Sequence, residues 1–365
     1  MGAVNSGKVM SVAGPIPVED LGVTLMHEHI LNDCSCWWNA PTSPDRAFLA
    51  EGPVRPEILW HLRQDPFVNR DNLGLRDEAA AIEELGLFAG VGGRSVVDPT
   101  CRGIGRNPAA LARIARATGL QIVMGSGYYL ESSHPAEVAG MSAEAIAAEI
   151  EAEAVDGLPT EDGPVRIGLV GEIGVSGDFT TAETRSLRGA ARASARTGLP
   201  LMVHLPGWFR HGHKVLDIAG EEGADLSHTV LCHMNPSFRD ADYQMSLAAR
   251  GAFLEYDMMG MDFFYADQGV QCPVDYDTCG AIKALIDAGF GWSVLLSQDV
   301  FLKMMLTRHG GNGYAHVHTY VLPLLGRLGV AEADLARLTI DNPRAVFSAS
   351  HRAGLAALWD RPRPI

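Results

Sequence analysis

The chain has 365 residues, of which 47% are hydrophobic, and it can therefore bury the core of one large α/β barrel or of two ordinary domains. Its 44 acidic residues outnumber its 29 lysines and arginines, which gives a formal net charge of −15. This excess of negative charge, with no basic stripe along the chain, argues against a protein that binds nucleic acid.

The six cysteines are too few and too scattered for the disulfide framework of a small secreted protein. Cys34 and Cys36 lie too close together for an ordinary structural disulfide, and no second cysteine pair supports a site for a soft metal. The N-terminus lacks a basic segment followed by an apolar one, and no uncharged apolar run is long enough to span a membrane. We therefore expect a cytoplasmic protein with reduced thiols and no membrane partner.

Short apolar runs alternate with alanine-rich stretches of helical period along the whole chain. The predicted strands are residues 22–26, 94–98, 121–125, 166–171, 201–204, 229–233, 252–256 and 293–297. The helices predicted after them are residues 77–89, 108–118, 142–155, 181–197, 214–222, 237–250, 278–288 and 316–328. Strand-then-helix units in this number predict a (β/α)₈ TIM barrel that occupies residues 1–365 as one domain, with a short N-terminal β extension and C-terminal helices.

An open, doubly wound sheet is the alternative arrangement of alternating strands and helices. Such a sheet normally carries a glycine-rich phosphate-binding loop after its first strand, and here that position holds His27-Glu28-His29. The glycine-rich run 102–106 lacks the spacing of a dinucleotide-binding loop. The barrel is therefore the better prediction.

His27 and His29 follow the first predicted strand. Residues i and i+2 of a strand point to the same side, so these two imidazoles converge. Two neutral imidazoles on one rigid edge are half of a metal site. An isolated pair of this kind is weak evidence, because it also occurs by chance on protein surfaces.

Four other predicted strands end in side chains of the metal-binding type, and catalytic groups of barrel enzymes sit at these carboxyl ends. The fourth strand leads to Glu172, the fifth and sixth end in His204 and His233, and the eighth leads to Asp299. Each residue alone has an ordinary explanation, such as a helix cap or a hydrogen-bonded core histidine. Six such groups at five strand ends are hard to explain independently, because a carboxylate that ends a buried strand is costly unless it is paired or bound to a metal. Four imidazoles and two carboxylates suit two divalent ions with one bridging carboxylate.

The sequence around these residues resembles the phosphotriesterase family of the amidohydrolase superfamily over nearly the whole chain. The segments that carry the resemblance are VAGPI (12–16), LGVTLMHEH (21–29), VDPT (97–100), GIGRN (103–107), GYY (127–129), SQD (297–299), GGNGY (310–314) and DNP (341–343).

The resemblance implies a ligand set at two metal ions. His27, His29 and Asp299 would hold the buried ion, His204 and His233 would hold the more exposed ion, and Glu172 would bridge them. Many family members have a carbamylated lysine at the bridging position, whereas the branch of phosphotriesterase homology and phosphotriesterase-related proteins has glutamate. Glutamate at this position argues against efficient hydrolysis of organophosphates. Zinc is the ion that mixed histidine and carboxylate ligation favours, and manganese, iron or cobalt also fit.

The expected activity is that of a binuclear metal-dependent hydrolase, in which a metal-bridging hydroxide cleaves a small carboxylic ester, lactone or amide. Asp299 is expected to accept the proton of the attacking water and relay it to the leaving group. Hydrolysis of a phosphotriester is the alternative within the same chemistry. A barrel that binds metal and ligand without turnover is the alternative of a different class.

Substrate contacts are expected in the loops that follow the strands, at Tyr128, Trp208, Phe264, Phe301 and Lys303. The aromatic residues would line an apolar pocket, Tyr128 would reach the substrate oxygen at the exposed ion, and Lys303 would meet a negative group. Further candidates for the same pocket are Trp37, Trp38, Phe263 and Arg210. We expect Glu28 to be structural and Asp257 to support its loop. A small molecule is the expected partner, and the resemblance implies a homodimer.

Overall fold

The computed structural model describes residues 7–348, and its central feature is a sheet of eight parallel strands. Each strand after the first is hydrogen-bonded to the one before it in the chain. The strands are Thr24–Leu25 (β1), Ser95–Asp98 (β2), Gln121–Ser126 (β3), Leu169–Gly174 (β4), Leu201–His204 (β5), Thr229–Leu231 (β6), Phe253–Tyr256 (β7) and Val294–Leu296 (β8). The two ends of the sheet meet where the Asp299 amide donates to the His27 carbonyl oxygen at 3.2 Å. The predicted (β/α)₈ barrel is confirmed.

One helix follows each strand, and most of these helices begin at a side chain that caps them. Asp77, Asn107, Ser142, Thr180 and Asp240 each accept a hydrogen bond from a backbone amide of the first turn, which satisfies groups that have no partner within the helix. The helices are Glu78–Gly90 (α1), Pro108–Thr118 (α2), Ala143–Val155 (α3), Thr181–Thr197 (α4), Gly212–Glu221 (α5), Ala241–Ala248 (α6), Asp275–Asp287 (α7) and Leu322–Arg327 (α8).

Shorter elements close the barrel and decorate its loops. A hairpin of Lys8–Ser11 and Gly14–Pro17 is the predicted N-terminal β extension, and the Val12 amide that follows its first strand donates to the Ile122 carbonyl oxygen of β3 at 2.8 Å. The loops carry a helix at Leu59–Leu62 and two strand pairs, Asn32–Asp33 with Gly74–Leu75 and Phe264–Tyr265 with Val270–Gln271; the C-terminal helices are Glu332–Ala336 and Asn342–Phe347. Residues 1–6 and 349–365, which the single-domain prediction includes, lie outside the described residues.

A separate buried cluster takes one side chain from each strand or its end: Met26, Val97, Val123, Leu169, Met202, Val230, Phe253 and Leu295. This is the pattern of a packed barrel interior. Because side chains alternate along a strand, the next inward position lies two residues further on. His204 occupies that position after Met202, and Glu255 occupies it after Phe253. Polar groups therefore lie directly on the apolar layer, towards the carboxyl ends of the strands.

The boundaries of several predicted elements differ from the structure, and three of these differences are the following. Strand β1 has two residues rather than five, and β4 extends to Gly174, so that Glu172 lies within the strand instead of after it. The pairing register of β4 with β3 and with β5 shifts near Glu172, and such irregularities re-aim side chains. Helix α6 is shorter than residues 237–250, because a turn of 3₁₀ helix precedes it and Asp240 caps its first turn.

All six cysteines are free thiols. None of the helices within residues 7–348 has the length and apolar content that a membrane-spanning segment requires.

The environment of His318 predicts that the stability of the protein depends on pH, independently of the residues at the mouth of the barrel. Its ring packs against Phe88 with centroids 5.3 Å apart, both ring nitrogens lack a hydrogen-bond partner, and burial lowers its pKa from 6.5 to about 4. The stability that neutral His318 contributes is therefore complete above pH 6.5 and is lost as the pH falls towards 4. In urea unfolding, we expect His318→Gln to remove roughly 2–3 kcal/mol of this pH-dependent loss. Identical pH profiles for the two proteins would contradict the assignment.

Candidate metal centre

The structure brings the six predicted ligands together at the carboxyl end of the barrel, and all six are buried: His27, His29, Glu172, His204, His233 and Asp299. In the first half of the cluster, Asp299 Oδ1 lies 3.3 Å from His29 Nε2 and 3.6 Å from His27 Nε2. Three such atoms can hold one metal ion between them.

The spacing of His27, His29 and Asp299 fits a divalent cation. Ligand atoms that bind a tetrahedral ion at about 2.0–2.2 Å lie about 3.3–3.6 Å from one another, which is longer than a normal hydrogen bond. His27 Nε2 and Asp299 Oδ1 are buried and have no hydrogen-bond partner. Buried polar atoms without a partner are costly, and coordination of an ion removes that cost.

Glu172 lies between the two pairs of histidines. Its Oε1 is 3.0 Å from His204 Nδ1 and 3.1 Å from His233 Nε2, while its Oε2 is 3.8 Å from His29 Nε2. His204 Nδ1 and His233 Nε2 lie 2.7 Å from each other. A carboxylate that faces both pairs is in the position that a bridging ligand requires.

His233 and Asp299 have left-handed backbone conformations, with φ of 58° and 49°. Such conformations are uncommon outside glycine and are maintained only where the surroundings enforce them. The His233 amide donates to the Asp257 carboxylate at 3.0 Å, and the Asp299 amide donates to the His27 carbonyl oxygen. These bonds turn both ligand side chains into the barrel mouth.

Two acidic residues contact the histidines: Glu255 in β7 and Asp257 in the loop that follows this strand. Asp257 lies 2.9 Å from His233 Nδ1 and 3.2 Å from His27 Nδ1, and Glu255 lies 3.4 Å from the same atom of His27. An acid on one ring nitrogen leaves the other nitrogen, Nε2, as the ligand atom. Asp257 therefore hydrogen-bonds His233 and lies within ion-pair distance of His27, while the loop support expected of it stays a prediction. Glu255 was missed, and its only signal was a carboxylate at an inward position of a buried strand.

The buried charges set the protonation of the ligands. Burial and the charge of His27 lower the pKa of His29 to about 3, so that its imidazole is neutral. Burial also lowers the pKa of His233, but Asp257 and Glu172 outweigh it and raise that pKa to about 10. Burial raises the pKa of Asp299 well above its usual range. Since metal ligands must lose their protons, we expect metal affinity to fall as the pH is lowered.

Glu28 has the structural role that the sequence predicted. Its carboxylate accepts hydrogen bonds at 2.8 Å from the Ser297 hydroxyl and from the amides of Gln298 and Val300. The segment that carries Asp299 is therefore fastened to the segment between His27 and His29.

A cavity of about 350 Å³, which we call the aromatic pocket, opens above the six-residue cluster. The predicted contacts Trp208 and Phe301 lie in its wall, as does Trp37. Further ring-bearing side chains complete the wall: Phe67, Tyr129, Phe209 and Tyr265. Cys34 also lines this pocket, but neither it nor Cys36 belongs to a described cluster that could hold a metal ion.

The predictions for Tyr128 and Phe264 were each wrong by one residue. The Tyr128 hydroxyl donates to Glu149 of α3 at 2.8 Å, whereas Tyr129 lines the pocket with its ring 4.8 Å from that of His204. Phe264 is 38% exposed, and its neighbour Tyr265 faces the pocket instead. Neighbouring residues in extended chain point in opposite directions, so an offset of one position reverses the side chain.

Lys303 and the remaining candidates also lie outside the aromatic pocket. The Lys303 ammonium pairs with Asp71, and Arg210 pairs with Asp240 at 2.9 Å. The Trp38 ring lies beneath the Arg70 guanidinium, and Phe263 lines a different cavity. These side chains are engaged by partners distant in sequence, which local patterns do not reveal.

Comparison with known proteins agrees with this architecture. The model of the phosphotriesterase family matches residues 7–347. An N-acetyltaurine hydrolase from Tetraodon nigroviridis is 32% identical over 342 residues, which are 93% of this chain and 97% of that protein.

Two solved structures extend the comparison. A resiniferatoxin-binding protein from Rhodobacter sphaeroides is 63% identical, with a TM-score of 0.93, and the match covers 95% of this chain and 97% of that one. The phosphotriesterase homology protein from Escherichia coli, complexed with phosphate in its active site, is 26% identical with a TM-score of 0.74 over 90% of this chain and 99% of that one. The chain belongs to the phosphotriesterase family of metal-dependent hydrolases.

Proposed function

We propose that this protein hydrolyses a small carboxylic ester, lactone or amide at a centre of two divalent ions, with zinc as the preferred metal. The main support is the position of Glu172, whose carboxylate lies between the two histidine pairs. Its Oε1 is 3.0–3.1 Å from His204 and His233 and 3.7 Å from His27, and its Oε2 is 3.8 Å from His29. His27, His29 and Asp299 would hold one ion, and His204 and His233 the other. Relatives named for the hydrolysis of N-acetyltaurine, an amide, support a carboxylic substrate.

Bound divalent ions supply Lewis acidity and make a water molecule acidic enough to attack near neutral pH. Asp299 accepts the proton of the attacking water and transfers it to the leaving oxygen or nitrogen. The Tyr129 hydroxyl accepts a hydrogen bond from the Trp37 indole at 3.3 Å, so its own proton is available to a substrate oxygen.

Hydrolysis of a phosphotriester is the second candidate, and the phosphate in the active site of the Escherichia coli relative supports it. Ligand binding without turnover is the candidate of a different class, supported by the name of the resiniferatoxin-binding relative. The same metal-binding residues are compatible with all three candidate functions.

A chelation and substrate screen tests the proposal. The protein is stripped with a chelator, reloaded with Zn²⁺, Mn²⁺, Fe²⁺ or Co²⁺, and assayed against lactones, aryl esters, N-acyl amides and phosphotriesters. We expect two ions per chain and hydrolysis of a carboxylic substrate that chelation abolishes and metal restores. Turnover of phosphotriesters alone would favour the second candidate, and two ions per chain without any turnover would favour the binding protein.

A further inference from the structure

The loop that follows β2 supplies none of the six candidate metal ligands, although it lies at the same mouth of the barrel. We call residues 98–101, which include most of the VDPT motif, the β2 loop. The side chains of Asp98, Thr100 and Cys101 are buried, and none of them lines the aromatic pocket. Neither metal coordination nor contact with a substrate therefore explains why polar groups are placed here.

Thr100 contacts the nitrogen of His29 that does not face the other ligands. Its Oγ1 lies 2.7 Å from His29 Nδ1. Burial raises the pKa of Asp98 to about 6, and hydrogen bonds from the Thr100 hydroxyl and from the amides of Thr100 and Ile30 oppose this rise. Since a hydroxyl has one proton, a Thr100 hydroxyl that donates to Asp98 accepts the proton of His29 Nδ1. The lone pair of the ring is then on Nε2, the atom 3.3 Å from Asp299 Oδ1.

Asp98 fixes both members of this contact. Its Oδ1 accepts a hydrogen bond from the Thr100 amide at 2.9 Å. Its Oδ2 accepts one at 3.2 Å from the amide of Ile30, the residue after His29. The hydroxyl and the imidazole are thus fastened to one carboxylate, which restricts rotation of the His29 ring.

The β2 loop also holds the main chain of Glu172. The Glu172 amide donates to the Pro99 carbonyl oxygen at 3.0 Å, and the Cys101 thiol donates to the Glu172 carbonyl oxygen at 2.8 Å. Strand β3 lies between β2 and β4, and Gly125 of β3 permits this approach. A Cβ at this glycine would collide with the Gly171 carbonyl oxygen and lie 3.0 Å from Pro99 Cα.

We propose that the β2 loop positions the metal centre: Thr100 directs His29 Nε2 at one ion, and Pro99 and Cys101 hold Glu172 between the histidine pairs. The inference rests on the two-ion centre of the proposed function. Thr100 is a positioning residue, because it acts through His29. Loss of the group that binds the second nitrogen of a metal-bound histidine typically lowers metal affinity 10- to 100-fold.

The test removes the Thr100 hydroxyl and measures metal binding. Thr100→Val keeps the branched shape without the hydroxyl, and Thr100→Ser keeps the hydroxyl. The metal-free proteins are titrated with Zn²⁺ in competition with a chromophoric chelator, which gives a dissociation constant for each ion. We expect Thr100→Val to weaken one ion about 10- to 100-fold and to change the other by less than about threefold. Thr100→Ser is expected to remain within about threefold of the unmodified protein for both ions.

The tautomer of His29 in the metal-free protein is a second readout, and it requires no ion. The nitrogen NMR shifts of the ring, assigned by comparison with His29→Gln, should place the proton on Nδ1 in the unmodified protein and in Thr100→Ser. In Thr100→Val we expect the proton to be shared between the two nitrogens, because Nδ1 has lost its acceptor. Thr100→Ala, which also lacks the hydroxyl and needs less space, is expected to behave as Thr100→Val does.

Thr229→Val is the matched control. Thr229 is also buried, and its hydroxyl donates to the Asp225 carbonyl oxygen at 3.0 Å at the start of β6, the opposite end of the strand from the metal centre. It loses a buried hydroxyl but should change neither the dissociation constants nor the tautomer of His29.

Unchanged dissociation constants in Thr100→Val and Thr100→Ala would overturn the inference and leave the proposed function standing. Equal weakening in Thr100→Val and Thr100→Ser would also overturn it, because the effect would not depend on the hydroxyl. Failure of the proposed function has a different signature. The unmodified protein would then bind no pair of divalent ions, while the tautomer in Thr100→Val would still decide whether Thr100 orients His29.

Discussion

In the proposed two-ion centre, replacement of Glu172 with glutamine is expected to reduce the metal content to one ion or none and to abolish hydrolysis. Glu172 is the only one of the six ligands that faces both histidine pairs, with contacts to His204, His233 and His29. An amide has no negative charge and offers only one acceptor oxygen. We expect kcat/KM to fall about a thousandfold or more, because a loss of several kcal/mol of charge stabilisation has this effect.

Metal content measured by mass spectrometry and turnover of the screened substrate check this expectation. Glu28→Gln is the matched control, since Glu28 is another buried carboxylate at the same end of the barrel and, among residues 7–348, hydrogen-bonds only to the segment 297–300. It should keep both ions but lower the free energy of unfolding by about 1–3 kcal/mol. A Glu172→Gln protein with two ions and normal turnover would rule out the bridge.

Asp299→Asn is expected to leave metal content largely intact while turnover falls about 10²- to 10⁴-fold, the usual range for loss of a group that transfers protons. Asparagine keeps one ligand oxygen and, of the non-glycine residues, is among the most tolerant of a φ such as the 49° found here. The change therefore removes the proton acceptor with little disturbance of the backbone or of the ligand set.

Asp299→Ala separates these two roles. Alanine lacks a ligand atom and is strained at this φ, so we expect metal content to fall together with turnover. Metal analysis and single-turnover kinetics on both variants distinguish loss of the ion from loss of proton transfer. Unchanged turnover in Asp299→Asn would refute the assignment of Asp299 as the proton acceptor.

The candidate metal ligands could be predicted from the sequence because each lies at or just after the end of a predicted strand. His204 ends an apolar strand, and His233 and Asp299 each follow one, so the periodicity of the chain locates them. The carboxyl ends of parallel strands meet at one mouth, which brings residues from opposite ends of the chain together. The substrate contacts had no such regularity, and the residues that line the pocket at two positions, Tyr129 and Tyr265, are the neighbours of those predicted.

The sequence by itself determined the order of strands and helices, the strand ends that carry imidazoles and carboxylates, and the family to which these motifs belong. Only the tertiary structure decided which side chains face the pocket and which charges are already neutralised. The pairing of Lys303 with Asp71 spans more than two hundred residues, and the support of His27 by Asp257 and Glu255 spans nearly as many. The physical reason is that periodicity reports local conformation, whereas the direction of a loop side chain and the neutralisation of its charge depend on contacts between segments distant in the chain.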